Sequence, residues 1–112
     1  MAKQIVFTDP TSGATYTLEY TRKTIEQMER NGFVAADIER KPMSTLPALF
    51  AGAFLAHHKF VKRDVIDSIY ERMNDKETLI GTLSEMYSAP ILTLLDNPED
   101  EGGKGNIDWK MS

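Results

Sequence analysis

The chain has 112 residues, a net charge of −4 and no cysteine. This length suits one domain with a modest core, and the acidic balance argues against non-specific nucleic-acid binding, which needs a clustered basic face. The lack of cysteine excludes disulfides, cysteine zinc sites and thiol nucleophiles, and it favours an intracellular setting.

A β-hairpin is predicted at residues 4–20. In its second strand apolar and polar residues alternate, so Tyr16, Leu18 and Tyr20 share one face. Residues 9–13 contain a proline and a glycine and form the predicted turn. A two-stranded hairpin alone is only marginally stable in water. The hairpin must therefore pack its apolar face on the helices or extend a sheet in a neighbouring subunit.

Residues 46–56 are the central feature of the chain, because none of their side chains carries a polar group. The run is about half of the ~20 residues that a membrane span needs, so it predicts a core helix, at about residues 44–60. Ser44 or Thr45 is expected to cap this helix. Whether its faces are covered within the monomer or at an oligomer interface stays open.

Two faces of the predicted central helix differ in size. Ala48, Gly52 and Ala56 follow one another at i, i+4 and form a low ridge on which another backbone can lie close. Phe50 and Phe54 belong to the bulky face.

Three further helices are predicted, at about residues 21–31, 63–74 and 76–95. Asp75 is expected to cap the last of them, and Pro90 to kink or break it. The inward face of this last helix is predicted to consist of Leu79, Ile80, Leu83, Met86, Tyr87, Ile91 and Leu94. The fold class is therefore α+β and mainly α, a hairpin on a bundle of about four helices.

Residues 1–95 are predicted to be one folded domain, and residues 96–112 a flexible acidic tail. The tail is rich in glycine and has no apolar stripe until its end, where Ile107 and Trp109 lie. It is interpreted either as a frayed end without consequence or as a short peptide that docks on a partner or on the domain itself.

His57 and His58 are the only residues that resemble part of a metal or acid–base site. Adjacent helical residues point about 100° apart, whereas metal-binding histidines on one helix are usually three or four apart. We therefore expect His57 to be a satisfied histidine near the core and His58 to face solvent. Neither a phosphate-binding glycine loop nor a Gly-x-Ser-x-Gly elbow occurs. No catalytic residue, cofactor or metal is predicted.

A series of packing motifs runs through most of the chain: Tyr16-Thr-Leu-Glu-Tyr20, Ile25-x-x-Met28-Glu29, Gly32-Phe33, Pro42-x-Ser44, Leu49-Phe50-Ala-Gly-Ala-Phe54 with His57 or His58, Ile69-Tyr70 and Leu83-x-Glu-Met-Tyr87. In this order the motifs resemble the small tail assembly chaperones of long-tailed bacteriophages and prophages, within an uncharacterised family from phages of Gram-positive hosts. The Leu-Phe-x-Gly-Ala-Phe motif followed by histidine is the most specific of them.

The resemblance implies a non-enzymatic role. Such chaperones coat the tape measure protein, are thought to recruit tail tube subunits, often self-associate, and leave the finished virion. We expect the host bacterial cytoplasm as the location, since the N-terminus lacks the features of a signal peptide, and neither nucleic acid nor membrane as a partner. The residues predicted to bind partners are Ala48, Phe50, Gly52, Phe54, Ala56, Met86, Ile107 and Trp109.

Other classes of protein compete with this interpretation. A structural tail component or head–tail connector would be found in purified virions. A DNA-binding regulator would need basic residues on a recognition helix, and only Lys59, Lys62 and Arg63 cluster, beside Asp64 and Asp67. An enzyme would require the histidines to bind a metal.

Overall fold

The computed structural model describes residues 3–96 and 107–111, and it confirms the predicted α+β fold. An antiparallel hairpin precedes a set of helices, one of which, α2, was not predicted. In chain order the elements are β1 (Ile5–Thr8), β2 (Thr15–Leu18), α1 (Arg22–Arg30), α2 (Asp37–Arg40), α3 (Pro42–Gly52), α4 (Arg63–Arg72), α5 (Lys76–Leu92) and a 3-10 helix (Thr93–Leu95). Residues 97–106, within the predicted flexible tail, lie outside the described residues.

The hairpin has the predicted turn. The Asp9 N–H donates to the Ala14 carbonyl oxygen at 2.8 Å, and the Gly13 N–H donates to the Asp9 carbonyl oxygen at 2.7 Å. Gly13 has a φ of +75°, which glycine adopts without a steric penalty. The strands pair in the register Ile5–Leu18, Val6–Thr17, Phe7–Tyr16 and Thr8–Thr15.

Two hydrogen bonds attach the outer edge of β2 and the residue after it to the chain that follows α3. The Thr17 N–H donates to His58 Nε2 at 2.9 Å, and the Glu19 N–H donates to the Ala53 carbonyl oxygen at 3.0 Å. The hairpin therefore packs on the helices of its own chain, and the edge of β2 is covered.

The first predicted helix is confirmed as α1. Thr21 is its N-cap, and it forms a capping box with Thr24, in which each side-chain oxygen accepts from the backbone N–H of the other residue. Gly32, just past the end of α1, has a φ of +95°, as expected of a helix stop signal.

The predicted bounds of the central helix, residues 44–60, were wrong at both ends. The helix begins at Pro42, which suits a first helical turn because its missing N–H needs no partner there. Neither Ser44 nor Thr45 caps it, since both lie inside α3.

The end of α3 at Gly52 has a tertiary cause. The Ala53 carbonyl oxygen accepts from the Glu19 N–H of the hairpin. After Gly52 the backbone forms 3-10-type hydrogen bonds between residues three apart. The Ala53 N–H donates to the Phe50 carbonyl oxygen, and the Phe54 N–H donates to the Ala51 carbonyl oxygen. A helix running to residue 60 would remove this anchor for the hairpin.

The last two predicted helices are present as α4 and α5, with differences of detail. Asp75 precedes α5 in the left-handed conformation, with a φ of +52°, and its side chain makes no capping hydrogen bond. Pro90 lies within the last turn of α5, which runs on to Leu92 without a break. A proline so near the C-terminal end costs one backbone hydrogen bond and leaves the preceding turns intact.

The core forms around α3, which contacts α1, α2, α4 and α5. The Tyr20 hydroxyl donates to the Leu49 carbonyl oxygen at 2.5 Å and so links the hairpin to the middle of this core. Burying one large apolar side chain contributes about 1.5–3 kcal/mol. The largest fully buried side chains are Tyr20, Phe50, Phe54, Leu18, Leu49 and Leu83.

Candidate functional site: an apolar groove along α3

An open groove of about 500 Å³ lies along α3, and we call it the α3 groove. Ala48, Ala51 and Gly52 line it from α3, and Leu55 lines it from the following turn. Because the side chains of Ala48 and Ala51 are small and only partly buried, the helix backbone lies close to the open space at these two positions.

Apolar residues from neighbouring segments complete the α3 groove. Val34, half-exposed, comes from the segment before α2, Val61 from the segment before α4, and Ile66 from α4 itself. Arg63 also lines the groove, and its Nε donates to Asp67 Oδ1 at 2.9 Å. The other charged or polar residues of the lining are Asn31, Asp37, Lys41, Ser44 and Thr45. The groove is mainly apolar, and its size lies within the range of ordinary ligand sites.

The predicted ridge of Ala48, Gly52 and Ala56 needs correction. Gly52 is covered by Met28 of α1, since a Cβ added to Gly52 would lie 2.3 Å from Met28 Cε. Ala56 lies beyond the end of α3 and lines a different groove, together with Phe60. Of the three residues of the predicted ridge, only Ala48 lies on α3 and is partly exposed.

Phe50, Phe54 and Met86 are not surface residues. Their exposed fractions are 0%, 1% and 3%, and their side chains belong to the core cluster. The ring centroids of Phe50 and Phe54 lie 5.2 Å apart, and Phe54 lies 5.5 Å from Tyr16 of β2. We therefore withdraw these three residues from the predicted partner-binding surface.

Aliphatic side chains are exposed instead at the C-terminal end of α5 and in the 3-10 helix, a surface that we call the α5 tip. Ile91 and Leu94 were expected to face the core, but both are exposed. The last buried residues of α5 are Met86 and Tyr87, and the helix then extends beyond the core. The α5 tip comprises Ile91, Leu92, Leu94 and Leu95.

The predicted docking peptide near the C-terminus is also exposed. Ile107 and Trp109 have exposed fractions of 87% and 86%, and Met111 is exposed as well. No helix or strand includes residues 107–111.

The two histidines have the opposite placement to the one predicted. His58 is partly buried, and its Nε2 accepts from the Thr17 N–H, whereas His57 is exposed and bonds Glu19 Oε1 through Nε2 at 2.7 Å. The hydrogen bond with His57, followed by that with Gln4, lowers the pKa of Glu19. Within residues 3–96 and 107–111, no cluster of histidine, aspartate and glutamate could hold a metal ion.

Comparison with known proteins identifies the family. A family model described as Domain of unknown function (DUF5055) matches residues 1–112. The chain belongs to this family. Neither the curated proteins nor the solved structures contain a match to this DUF5055 chain.

The surface of this DUF5055 chain includes residues that the sequence interpretation missed. Four of the five residues at positions 91–95 are aliphatic, and so many in about one and a half helical turns cannot all face the core. The sequence could therefore have predicted that Leu92 and Leu95 are exposed. Val61 and Leu55 of the α3 groove carried no comparable signal. None of the helices in the described part of the DUF5055 chain has the length and apolar character to cross a membrane.

Proposed function

We propose that this chain is a non-enzymatic phage tail assembly chaperone that binds the tape measure protein stoichiometrically. The observation that carries the proposal is the α3 groove, an open and mainly apolar surface along α3. Amphipathic helices bind to such grooves through apolar residues at i, i+3, i+4 and i+7. The resemblance of the packing motifs to tail assembly chaperones supplies the class of client.

Ala48 is the position from which the proposed client site is best tested. It lines the α3 groove and is only partly buried, so a larger side chain there obstructs the groove without entering the Phe50 and Phe54 core. Ser68, an exposed residue of α4, is the matched control for an added carboxylate.

The experiment is co-expression with the tape measure protein encoded beside this chain, followed by pull-down and size exclusion. The wild type and Ser68→Glu should keep the client soluble in a multi-copy complex. Ala48→Glu should lose the client, because the added carboxylate obstructs the groove and is costly to cover with an apolar helix face. If the wild type leaves the client insoluble and unbound, the chaperone proposal fails. If Ala48→Glu binds as well as Ser68→Glu, the α3 groove is not the client site.

A second test concerns location. We expect the protein in the host cytoplasm during assembly and not in the finished particle, since a chaperone leaves its client. Mass spectrometry of purified virions measures this directly. Stoichiometric amounts in virions would favour the alternative, a structural tail or head–tail connector component.

The α5 tip is the second surface suited to tail proteins, such as the tail tube subunit. Leu92 and Leu95 are exposed, and Leu95→Asp should therefore leave the fold intact. When the tail tube protein is co-expressed as well, loss of that protein from the Leu95→Asp complex, with the tape measure protein retained, would assign the α5 tip to the tail tube protein.

A further inference from the structure

In the part of the chain that the structure describes, no strand pairs with the outer edge of β1. In an antiparallel ladder, alternate pairs direct their N–H and C=O groups away from the partner strand. The Thr17 N–H points outward to His58, so the pair Val6–Thr17, and likewise the pair Thr8–Thr15, directs its backbone groups outward. Val6 and Thr8 therefore present N–H and C=O groups along the outer edge of β1, and no hydrogen bond from the described residues reaches these groups.

The C-terminal segment has the pattern of a strand that lacks a sheet. Ile107, Trp109 and Met111 are apolar and alternate with the charged residues Asp108 and Lys110. This period of two places the three apolar side chains on one face of an extended chain. All three are exposed.

A groove on α5 lies beside Lys3, two residues before β1 begins. The groove has a volume of about 450 Å³, and its lining from α5 comprises Gly81, Ser84, Glu85, Ser88, Ala89 and Leu92. Lys3 Nζ lies 3.6 Å from Glu85 Oε2 in this lining.

We propose that residues 107–111 of a second copy of this chain add to β1 as a third strand. Strand addition satisfies the N–H and C=O groups of Val6 and Thr8 and covers Ile107, Trp109 and Met111 at the same time. Among the described residues of one chain, the edge of β1 and the apolar face of residues 107–111 do not contact each other, and addition between two copies covers both surfaces in each copy. Reciprocal exchange of the two segments closes a symmetric dimer.

The test uses the purified full-length chain and measures its mass by light scattering and sedimentation equilibrium. The monomer mass is 12.6 kDa, and the wild type should associate reversibly to twice that mass. Val6→Pro removes an N–H that points outward and spares the bonds between β1 and β2, so it should weaken association. Val6→Ala keeps this N–H and is the matched control. Trp109→Ala should raise the dimer dissociation constant about 30-fold or more, the effect of truncating an anchor residue.

Mixing the two deficient proteins distinguishes exchange between copies from docking within one chain. Val6→Pro retains an intact C-terminal segment and Trp109→Ala retains an intact edge, so their mixture should form a 1:1 dimer although each alone is monomeric. Circular dichroism confirms that both variants are folded. A wild type that stays monomeric, or a mixture that stays monomeric, would overturn the proposal, as would undiminished association of Val6→Pro. The result is independent of the proposed function, because no client is present.

Discussion

Arg72, the last residue of α4, binds Asp9 at the start of the hairpin turn with two hydrogen bonds of 2.8 Å each, from Nη1 to Oδ1 and from Nη2 to Oδ2. The Asp9 side chain is 6% exposed and that of Arg72 is 44% exposed. The Thr11 N–H donates to the same carboxylate at 2.9 Å. The hydrogen bond from Arg72, followed by the one from Thr11, holds the pKa of Asp9 far below its ordinary value.

Removal of Arg72 should destabilise the protein more than removal of Arg63. Arg72→Met leaves the nearly buried Asp9 carboxylate without its cation, whereas Arg63→Met breaks an exposed pair with Asp67 that is worth about 0.3–0.5 kcal/mol. Urea denaturation at neutral pH measures the decrease in unfolding free energy for each variant. Equal losses would show that the Arg72–Asp9 contact contributes no more than a surface ion pair.

The same contact predicts a dependence on acid pH. The folded-state pKa of Asp9 is depressed below the ordinary value of 3.8, so its stabilising effect is present above that pH and is lost as the pH falls below it. The difference in unfolding free energy between the wild type and Arg72→Met should therefore narrow below that value. A difference that stays constant into the acid range would contradict this assignment.

His58 should make stability decrease as the pH falls below 6.5. Its Nε2 accepts from the Thr17 N–H, so the folded protein holds a neutral ring with the proton on Nδ1. Burial, with a smaller effect of His57, lowers the pKa of His58 below the ordinary 6.5, so the unfolded chain takes up the proton first.

Denaturation midpoints over the range from about pH 8 to about pH 5 test this prediction. His58→Gln should flatten the decline, while the exposed neighbour variant His57→Gln should retain it. An unchanged decline in His58→Gln would assign the pH dependence to another group.

Phe50→Ala should lower the free energy of unfolding by about 3–5 kcal/mol, because it leaves a cavity beside Phe54 in a fully buried site. Leu95→Ala, at the exposed α5 tip, should change it by less than about 0.5 kcal/mol. Thermal or urea unfolding of both variants checks the assignment of Phe50 to the core. Similar values for the two would mean that Phe50 is not covered in solution.

Gly52→Ala should destabilise the protein by about 1 kcal/mol, because the flexible end of the Met28 side chain must move to admit the added Cβ. In a Met28→Ala background the same substitution should cost less, because the contacting Cε and Sδ atoms are gone. A double-mutant cycle by urea denaturation measures this coupling. Additive effects would show that Met28 does not pack on Gly52.

Local features of the fold could be predicted from the sequence, since their causes lie within a few residues. The alternation of Tyr16, Leu18 and Tyr20 correctly assigned the apolar face of the hairpin. The helix predicted from about residue 21 begins there, with Thr21 as the N-cap of α1. Apolar content alone indicated that residues 46–56 are central to the core, where Leu49, Phe50 and Phe54 are indeed buried.

Other features depended on contacts between distant parts of the chain. The hydrogen bond from the Glu19 N–H to the Ala53 carbonyl oxygen accompanies the end of α3 at Gly52. The sequence near residue 53 contains no signal that predicts this hydrogen bond. His57 and His58 are adjacent and chemically identical, yet only His58 meets the edge of β2.

The sequence by itself determined which side chains share a face, because the helix and strand periods are properties of the backbone. Only the tertiary structure decided which faces are covered. Leu83 and Ile91 lie on the same predicted stripe of α5, but other elements lie opposite Leu83 and not opposite Ile91. Burial requires a second element across from the side chain, and that element comes from a distant part of the chain.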